Sequence, residues 1–317
     1  MMDLSYFMIN RMKKHGTNCN SSALFFFQKF GGRLALFGAN LIWGTSFLFT
    51  KLLLIYIPPV TVAFIRFVIA SFILTFYIKI FKKEKMIIFQ RDILNLVMLG
   101  LFGITIYYYG ENTSLQTITI SSASLILSLI PAVTLILSVV VLGEKVFWFN
   151  VLGVIIAFVG ASFIILKDTN LYELSKFEVG YIYILIATLS FSIYSIIGRK
   201  VMLKRSAIHT TAFTFIFGSI LLIPFVFYEI SSLSIRADLS KIALNLLYLS
   251  FVCSIGGYFL WNWGLKQINP GRASIYLNII PLTAVLLGTL FLGEKITLGI
   301  VIGGGLILSG IYIANYK

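Results

Sequence analysis

Apolar runs of about twenty residues recur along almost the whole of this chain, and no other feature limits its fold so sharply. A run of that length crosses the hydrocarbon core of a bilayer as a helix, because a lone segment satisfies its own backbone amides in lipid only when helical. Ten runs can be placed, at about 34–56, 59–80, 93–114, 121–142, 147–166, 180–201, 208–228, 242–265, 271–292 and 296–314. With 59% hydrophobic and 11% charged residues, the chain lacks the charged surface of an ordinary water-soluble domain. An all-α integral membrane protein in contact with the lipid bilayer is the expected class.

The chain also repeats itself. Residues 123–145, ASLILSLIPAVTLILSVVVLGEK, return 150 positions later as ASIYLNIIPLTAVLLGTLFLGEK, with ten of the twenty-three letters unchanged. LIWGTSFLFTK from Leu41 echoes LSFSIYSIIGR from Leu189, and the segment from Leu94 runs alongside the segment from Leu244. Gly153 and Gly160 recur as Gly303 and Gly310. Each copy is a unit of five spans, and five is odd, so the second copy starts on the opposite side of the membrane from the first. The fold class expected is therefore ten transmembrane helices as two inverted five-helix repeats. Its parts are a cytoplasmic tail over 1–32, the first repeat over 33–166, an outside linker over 167–179 and the second repeat over 180–315. Two halves of opposite orientation can exchange conformations and open one central site to either side in turn, which is how many secondary transporters are built. A channel, a receptor or an intramembrane enzyme has no need of that symmetry.

The net charge of +14 raises nucleic acid as a partner. The distribution argues against it. With the N-terminus in the cytoplasm, 18 of the 25 Lys and Arg residues fall in inside segments and 5 in outside loops, while Lys51 and Arg66 lie within or at the edge of spans. The positive-inside rule accounts for that excess, with both termini cytoplasmic. The first thirty residues lack the apolar core and cleavage site of a secretory signal and read as a short uncleaved tail. Cys19 and Cys253 suggest neither a staple nor a metal site, and His209 and His15 have no companions at metal spacing. No cofactor is expected, and no G-x-x-x-x-G-K loop for a nucleotide is present.

The segments PAVTLILSVVVLGEKV and RASIYLNIIPLTAVLLGTLFLGEKITLGIVIGGGLILSGIYI, with IWGTSF in the first span and IRFVIASFIL in the second, resemble the EamA-type family of the drug/metabolite transporter superfamily. The likeness covers about residues 33–314. It implies ten helices, cytoplasmic termini, and export of amino acids, metabolites or toxic compounds across a bacterial inner membrane, without naming a substrate. An arginine at the place of Arg66 is usual in that family, which implies a fixed structural or gating role there.

Glu111 is the one acidic residue set well inside a span, where an unpaired carboxylate costs several kcal/mol or takes up a proton. It reads either as a proton or substrate-amine site, or as a buried ion pair with Arg66 at a comparable depth; a pair that breaks during transport would satisfy both. Arg66 can also snorkel to the headgroups, and Lys51 reads as an interface anchor. Pro131 and Pro281 occupy matching mid-span places, each removing a backbone bond and freeing a carbonyl near Leu127 or Leu277. These two prolines, with Glu111 and Arg66, are the coupling or gating candidates.

Candidates for a small-molecule site are the aromatic residues Trp43, Tyr107, Tyr108, Tyr194, Tyr258 and Tyr276 and the polar residues Thr45, Asn112, Ser124, Ser128, Ser192, Asn262 and Asn278. Rings of this kind grip apolar or cationic ligands, and equally fill helix interfaces. The two LGEK turns read as hairpin connectors, with Glu144 and Glu294 near the start of the next helix. Gly153, Ala157, Gly299 and Gly303 mark the fifth and tenth spans as close-packed scaffold.

The expectation is a secondary transporter exporting a small metabolite by alternating access, with protons as a further partner through Glu111. An importer or sugar-phosphate-type exchanger of the same fold is the alternative. A membrane-embedded lipid transferase is a distant one, because Asp92, Asp168 and Asp238 stand isolated on separate loops. A non-transporting assembly factor would not need polar residues in its spans.

Overall fold

The computed structural model describes residues 21–83, 86, 90–143, 147–168, 179–202, 206–229, 239–267 and 274–314. All the regular structure among them is helical. The helices are α1 (Ser21–Leu53), α2 (Pro59–Ile80), α3 (90–114), α4 (120–142), α5 (Trp148–Asp168), α6 (Gly180–Met202), α7 (Ala207–Glu229), α8 (239–267), α9 (274–292) and α10 (Leu298–Ala314). The first eight are long and apolar enough to cross a membrane, and Tyr276–Leu292 and Leu298–Ala314 are shorter apolar helices.

Local chemistry sets the ends. Pro59 opens α2 at a position whose N–H has no helical partner, behind an extended Pro58. Thr119 caps α4 by accepting from the Ser122 amide at 3.0 Å. Gly143 and Gly293 close α4 and α9 in the left-handed region, both at φ 66°, which glycine adopts without strain. The helix of α1 starts at Ser21, about three turns ahead of the apolar run that begins near residue 34. Neither proline nor Asn or Asp interrupts the chain between Ser21 and Asn40, so nothing ends the helix at the membrane edge.

Four helices depart from regular α geometry, and they do so in repeat-equivalent places. α3 passes through a π segment at Leu101–Thr105, and α8 through one at Tyr248–Gly256. α4 is broken between Ile120–Leu127 and Ile130–Leu142, whereas α9 begins as a 3-10 turn over Ser274–Asn278 and becomes α-helical from Ile279.

The two sequence copies interlock. α1 packs on α8 and α9 of the second copy, and its equivalent α6 packs on α3 and α4 of the first. Equivalent helices also pair directly: α2 with α7, and α5 with α10. In the α5–α10 pair a side chain at Gly153 would meet Gly310 and Ala314, and one at Gly160 would meet Gly303 and Ile307. The two helices therefore run antiparallel with backbones in contact, an approach only small residues allow. Asn150 Nδ2 ties the end of the pair by donating to the Ala314 carbonyl at 2.7 Å.

Gly160→Ala should push against the Gly303 carbonyl and lower stability by about 1–3 kcal/mol. Gly305→Ala, at a glycine with open space around it, should be neutral or raise stability by up to about 1 kcal/mol. Thermal unfolding of the two variants in detergent checks the contrast.

Candidate functional site

The breaks in α4 and α9 create the site. Pro131 has no N–H to offer the Leu127 carbonyl, and Pro281 none to offer Leu277. The chain at Ser128 and Leu129 tightens instead, with Leu129 N–H donating to the Ile126 carbonyl at 3.0 Å. Each break is braced by a helix of the other copy. Ser192 Oγ on α6 reaches the Ile130 carbonyl at 3.3 Å. Gly44 on α1, the equivalent of Ser192, lies so close to α9 that a side chain there would meet the Ile280 carbonyl and Thr283.

Between the two breaks lies a cavity of about 50 Å³. At roughly 10–15 Å³ for each water, that is room for a few water molecules and no more. α1 contributes Trp43, Ser46 and Phe47 to its wall, and α3 contributes Tyr107, Tyr108 and Glu111. Ser124, Leu127, Ser128 and Ile130 come from α4, Leu277, Ile280 and Pro281 from α9, with Phe191 of α6 and Tyr258 of α8 completing it. The rings contact one another in two groups. Trp43 meets Tyr258 edge to face at 5.3 Å, while Tyr107 touches Tyr108 at 4.7 Å and Phe191 at 5.1 Å. Trp43 and Phe191 are repeat equivalents, as are Tyr108 and Tyr258, so these four rings follow the internal symmetry, whereas Tyr107 and Phe47 align with Gly257 and Ser195. Glu111 does not, because its equivalent is Trp261.

Donors around the cavity are largely committed. Ser46 Oγ donates to the Trp43 carbonyl at 2.6 Å, Ser124 Oγ to the Ser121 carbonyl at 3.0 Å and Ser128 Oγ to the Leu125 carbonyl. The Trp43 indole N–H donates to the Cys253 carbonyl at 3.0 Å, inside the π segment of α8. The matching π segment of α3 is held in the same way, with Ser190 Oγ of α6 donating to the Phe102 carbonyl at 2.7 Å.

Glu111 and Arg66 are both buried, at 2% and 1% exposure, and they do not form the ion pair that their similar depth suggests. Arg66 Nε donates to Ser254 Oγ at 2.7 Å, and its guanidinium sits 4.9 Å from the Tyr108 ring centroid and 5.2 Å from that of Phe67. Its Nη2 has no hydrogen-bond partner among the described residues. Tyr108 lines the cavity and carries Arg66 on its ring, so the cation is withdrawn from the wall that Glu111 faces. Snorkelling to the headgroups is likewise not what this side chain does.

Of the residues singled out in the sequence, Trp43, Tyr107, Tyr108, Glu111, Ser124, Ser128, Tyr258 and Pro281 meet at the cavity. The rest lie elsewhere or behind it. Thr45 is paired with the Tyr248 hydroxyl at 2.8 Å, and Asn112 Nδ2 donates to the Pro59 carbonyl at 2.9 Å. Tyr194 packs against Phe191 and Gly103, and Ser192 and Pro131 act through the α4 break. Tyr276 and Asn278 lie in the first turn and at the cap of α9 and do not line the wall, while the side chain of Asn262 is outside the described residues. Sequence reasoning passed over Ser46, Phe47, Phe191, Ile130 and Ile280. The signals were present: Ser46 and Phe47 follow Trp43 by three and four residues, Phe191 is its repeat equivalent, and Ile130 and Ile280 each precede a matched proline.

Charges at one end of the bundle depart from expectation. Lys51 is half-buried at the end of its span, and its Nζ donates to the Leu115 carbonyl, and to the Ile118 carbonyl at 3.2 Å, just past the end of α3. A cation there complements the negative end of the helix dipole. Glu294 does not cap the helix that follows it, where Thr297 Oγ1 accepts from the Ile300 amide. The left-handed Gly293 turns the chain back, and Glu294 accepts from the Ile120 and Ser121 amides at 2.8 and 3.1 Å and from Ser121 Oγ at 2.6 Å. Glu229, at the end of α7, caps α2 in the same manner through the Val60 and Thr61 amides at 3.2 and 2.9 Å. These contacts place the end of α9 beside the start of α4, and the end of α7 beside the start of α2. Glu144 lies outside the described residues. Among the described residues, no three His, Cys, Asp or Glu side chains gather as metal ligands.

The profile of the EamA-like transporter family matches this chain twice, over residues 30–166 and 178–316. An uncharacterized transporter of Archaeoglobus fulgidus is 32% identical over 276 residues, covering 87% of this chain and 95% of that protein. A probable amino-acid metabolite efflux pump of Escherichia coli (strain K12) is 25% identical, covering 86% of this chain and 90% of its own. One solved protein structure superposes with a TM-score of 0.64 at 17% identity, over 89% of this chain and 96% of that one, which is a likeness of fold.

Glu294→Ala should leave the first amides of α4 unsatisfied and cost about 2–3 kcal/mol, since the bonds lost are made to a charged group. Glu294→Gln should recover part of that loss. Thermal melting of both variants in detergent, at one pH, is the check.

Proposed function

Because the chain belongs to the EamA-like transporter family, we propose that this multi-pass membrane protein is a secondary transporter of ten spans in two inverted five-helix repeats, covering 33–166 and 180–315, which exports a small metabolite by alternating access. The family and the relatives named above are transporters. Inversion is supported by the antiparallel contacts between repeat-equivalent helices, the α5–α10 crossing above all. The excess of Lys and Arg in alternate loops supports cytoplasmic termini in a cell inner membrane, which puts Lys51, Glu229 and Glu294 at the outer end.

One observation carries the reading. A cavity too small for a metabolite sits where both repeats meet and holds a carboxylate with no ion-pair partner among the described residues. To admit a ligand its walls must separate, and walls supplied by two inverted units can separate towards either side. The breaks at Pro131 and Pro281 are suited to such movement, because each already lacks a helical bond. Export follows the name of the efflux pumps to which the chain is similar.

Proton coupling is assigned to Glu111. The groups facing it are the hydroxyls of Tyr107, Tyr108 and Tyr258, with Arg66 behind Tyr108. A buried carboxylate without a cation is stable in lipid when neutral and needs a partner when charged, so protonation and ligand binding exclude one another.

Metabolites in the medium of cells overproducing the wild type should include one compound that falls at least tenfold in cells overproducing Glu111→Gln at equal membrane abundance. Equal release by both would reduce Glu111 to architecture. No change in either would remove export.

A further inference from the structure

The central cavity distinguishes between charges, and resting on the transport reading above, we propose that it takes an aromatic or apolar amine in its cationic form and rejects carboxylates. Among the described residues, Glu111 is the only side chain with a formal charge in the wall. The nearest arginine, Arg66, is bonded to Ser254 and covered by the ring of Tyr108, so no cation is presented to a ligand carboxylate. A carboxylate entering this space would meet another carboxylate in a medium of low dielectric, where like charges repel most strongly.

Hydrogen-bonding capacity points the same way. The hydroxyl protons of Ser46, Ser124 and Ser128 are spent on carbonyls of their own helices, and the indole N–H of Trp43 on Cys253. What these serines retain is oxygen lone pairs. The prolines add two carbonyls without helical donors, on Leu127 and Leu277, both residues of the wall. Acceptors thus outnumber donors, since the Tyr107 hydroxyl is engaged with the Glu111 carboxylate and the Tyr108 and Tyr258 hydroxyls with each other. An ammonium group has three donors and no acceptor, which is the complement of such a surface; a carboxylate has only acceptors. The rings supply the remainder. Trp43 and Tyr258 on one side, and Tyr107 and Phe191 on the other, present aromatic surface that attracts a cation and packs against an apolar body.

Internal symmetry separates the two roles. Two ring positions are duplicated by the repeat, Trp43 with Phe191 and Tyr108 with Tyr258, whereas the carboxylate occurs in one copy only, opposite a tryptophan in the other, and Tyr107 stands opposite Gly257. Part of the ring surface is therefore available in either half, and the charge preference depends on a single residue.

Three probes that share a phenyl ring and differ in charge test this: phenethylamine, phenylalanine and 3-phenylpropionate. Binding to the purified full-length protein is followed by calorimetry, and uptake by proteoliposomes under a pH gradient. Phenethylamine should bind at least tenfold tighter than phenylalanine, 3-phenylpropionate should not bind, and Glu111→Gln should abolish the preference. Tyr107→Leu, which keeps the carboxylate, should weaken phenethylamine by about fivefold, in keeping with the loss of one cation–π contact, with no gain for 3-phenylpropionate. Tighter binding of phenylalanine or 3-phenylpropionate, retention of the preference by Glu111→Gln, or binding of none of the three would overturn the proposal. Phenethylamine bound but not moved would keep the charge preference and sink the transport reading. A pH-driven flux of phenylalanine would do the reverse.

Discussion

The irregular helices of this bundle answer to one requirement, that a backbone polar group in an apolar surrounding find a partner inside the protein. Regular helix meets that requirement without help, and at three of the four departures from it, in α3, α8 and α4, a side chain of another helix donates to a backbone carbonyl. The π segment of α3 is held by Ser190 of α6, and Thr105 Oγ1 is shared between the Gly100 and Gly218 carbonyls. The π segment of α8 is held by Trp43 of α1 and bonds Arg66 through Ser254. The broken helices α4 and α9 are braced by Ser192 and by the close approach of Gly44. Each weak point of one copy is secured by the other, so neither copy is complete alone.

That interdependence explains why small residues and irregular turns occur together. α1 and α6 can reach the carbonyls they brace only if they approach closely, hence Gly44 against α9 and Gly103 against Tyr194. Away from the cavity the same device serves a plainer purpose, joining α5 to α10 along a line of glycines. The fifth and tenth helices form the most closely packed pair in the bundle.

Charge is used sparingly and asymmetrically. At one end of the bundle, Glu229, Glu294 and Lys51 satisfy buried helix termini, joining the second copy to the first at α2 and α4 and holding α1 to the end of α3. In the interior two charges are buried and kept apart, Arg66 against rings and a hydroxyl, Glu111 at the cavity. Burying charges without pairing them is expensive. Their separation by Tyr108 makes sense where one of them must stay available for something that enters.

Much of this was legible in the letters alone. Hydropathy determined that the chain is helical and membrane-spanning, an echo 150 positions apart determined that it is double, and the matched prolines marked where two of its helices would break. The solitary carboxylate was visible too, because a charge in an apolar run stands out in one dimension. What only the tertiary structure decided is who meets whom: that Arg66 binds Ser254 and not Glu111, that Glu294 turns back to α4, that Lys51 seals α3, and that Thr45 and Tyr194 miss the cavity. Periodicity and composition describe each segment by itself, whereas these contacts depend on how helices distant in sequence cross, and a turn of one residue, about 100° on a helix, carries a side chain from the cavity to an interface.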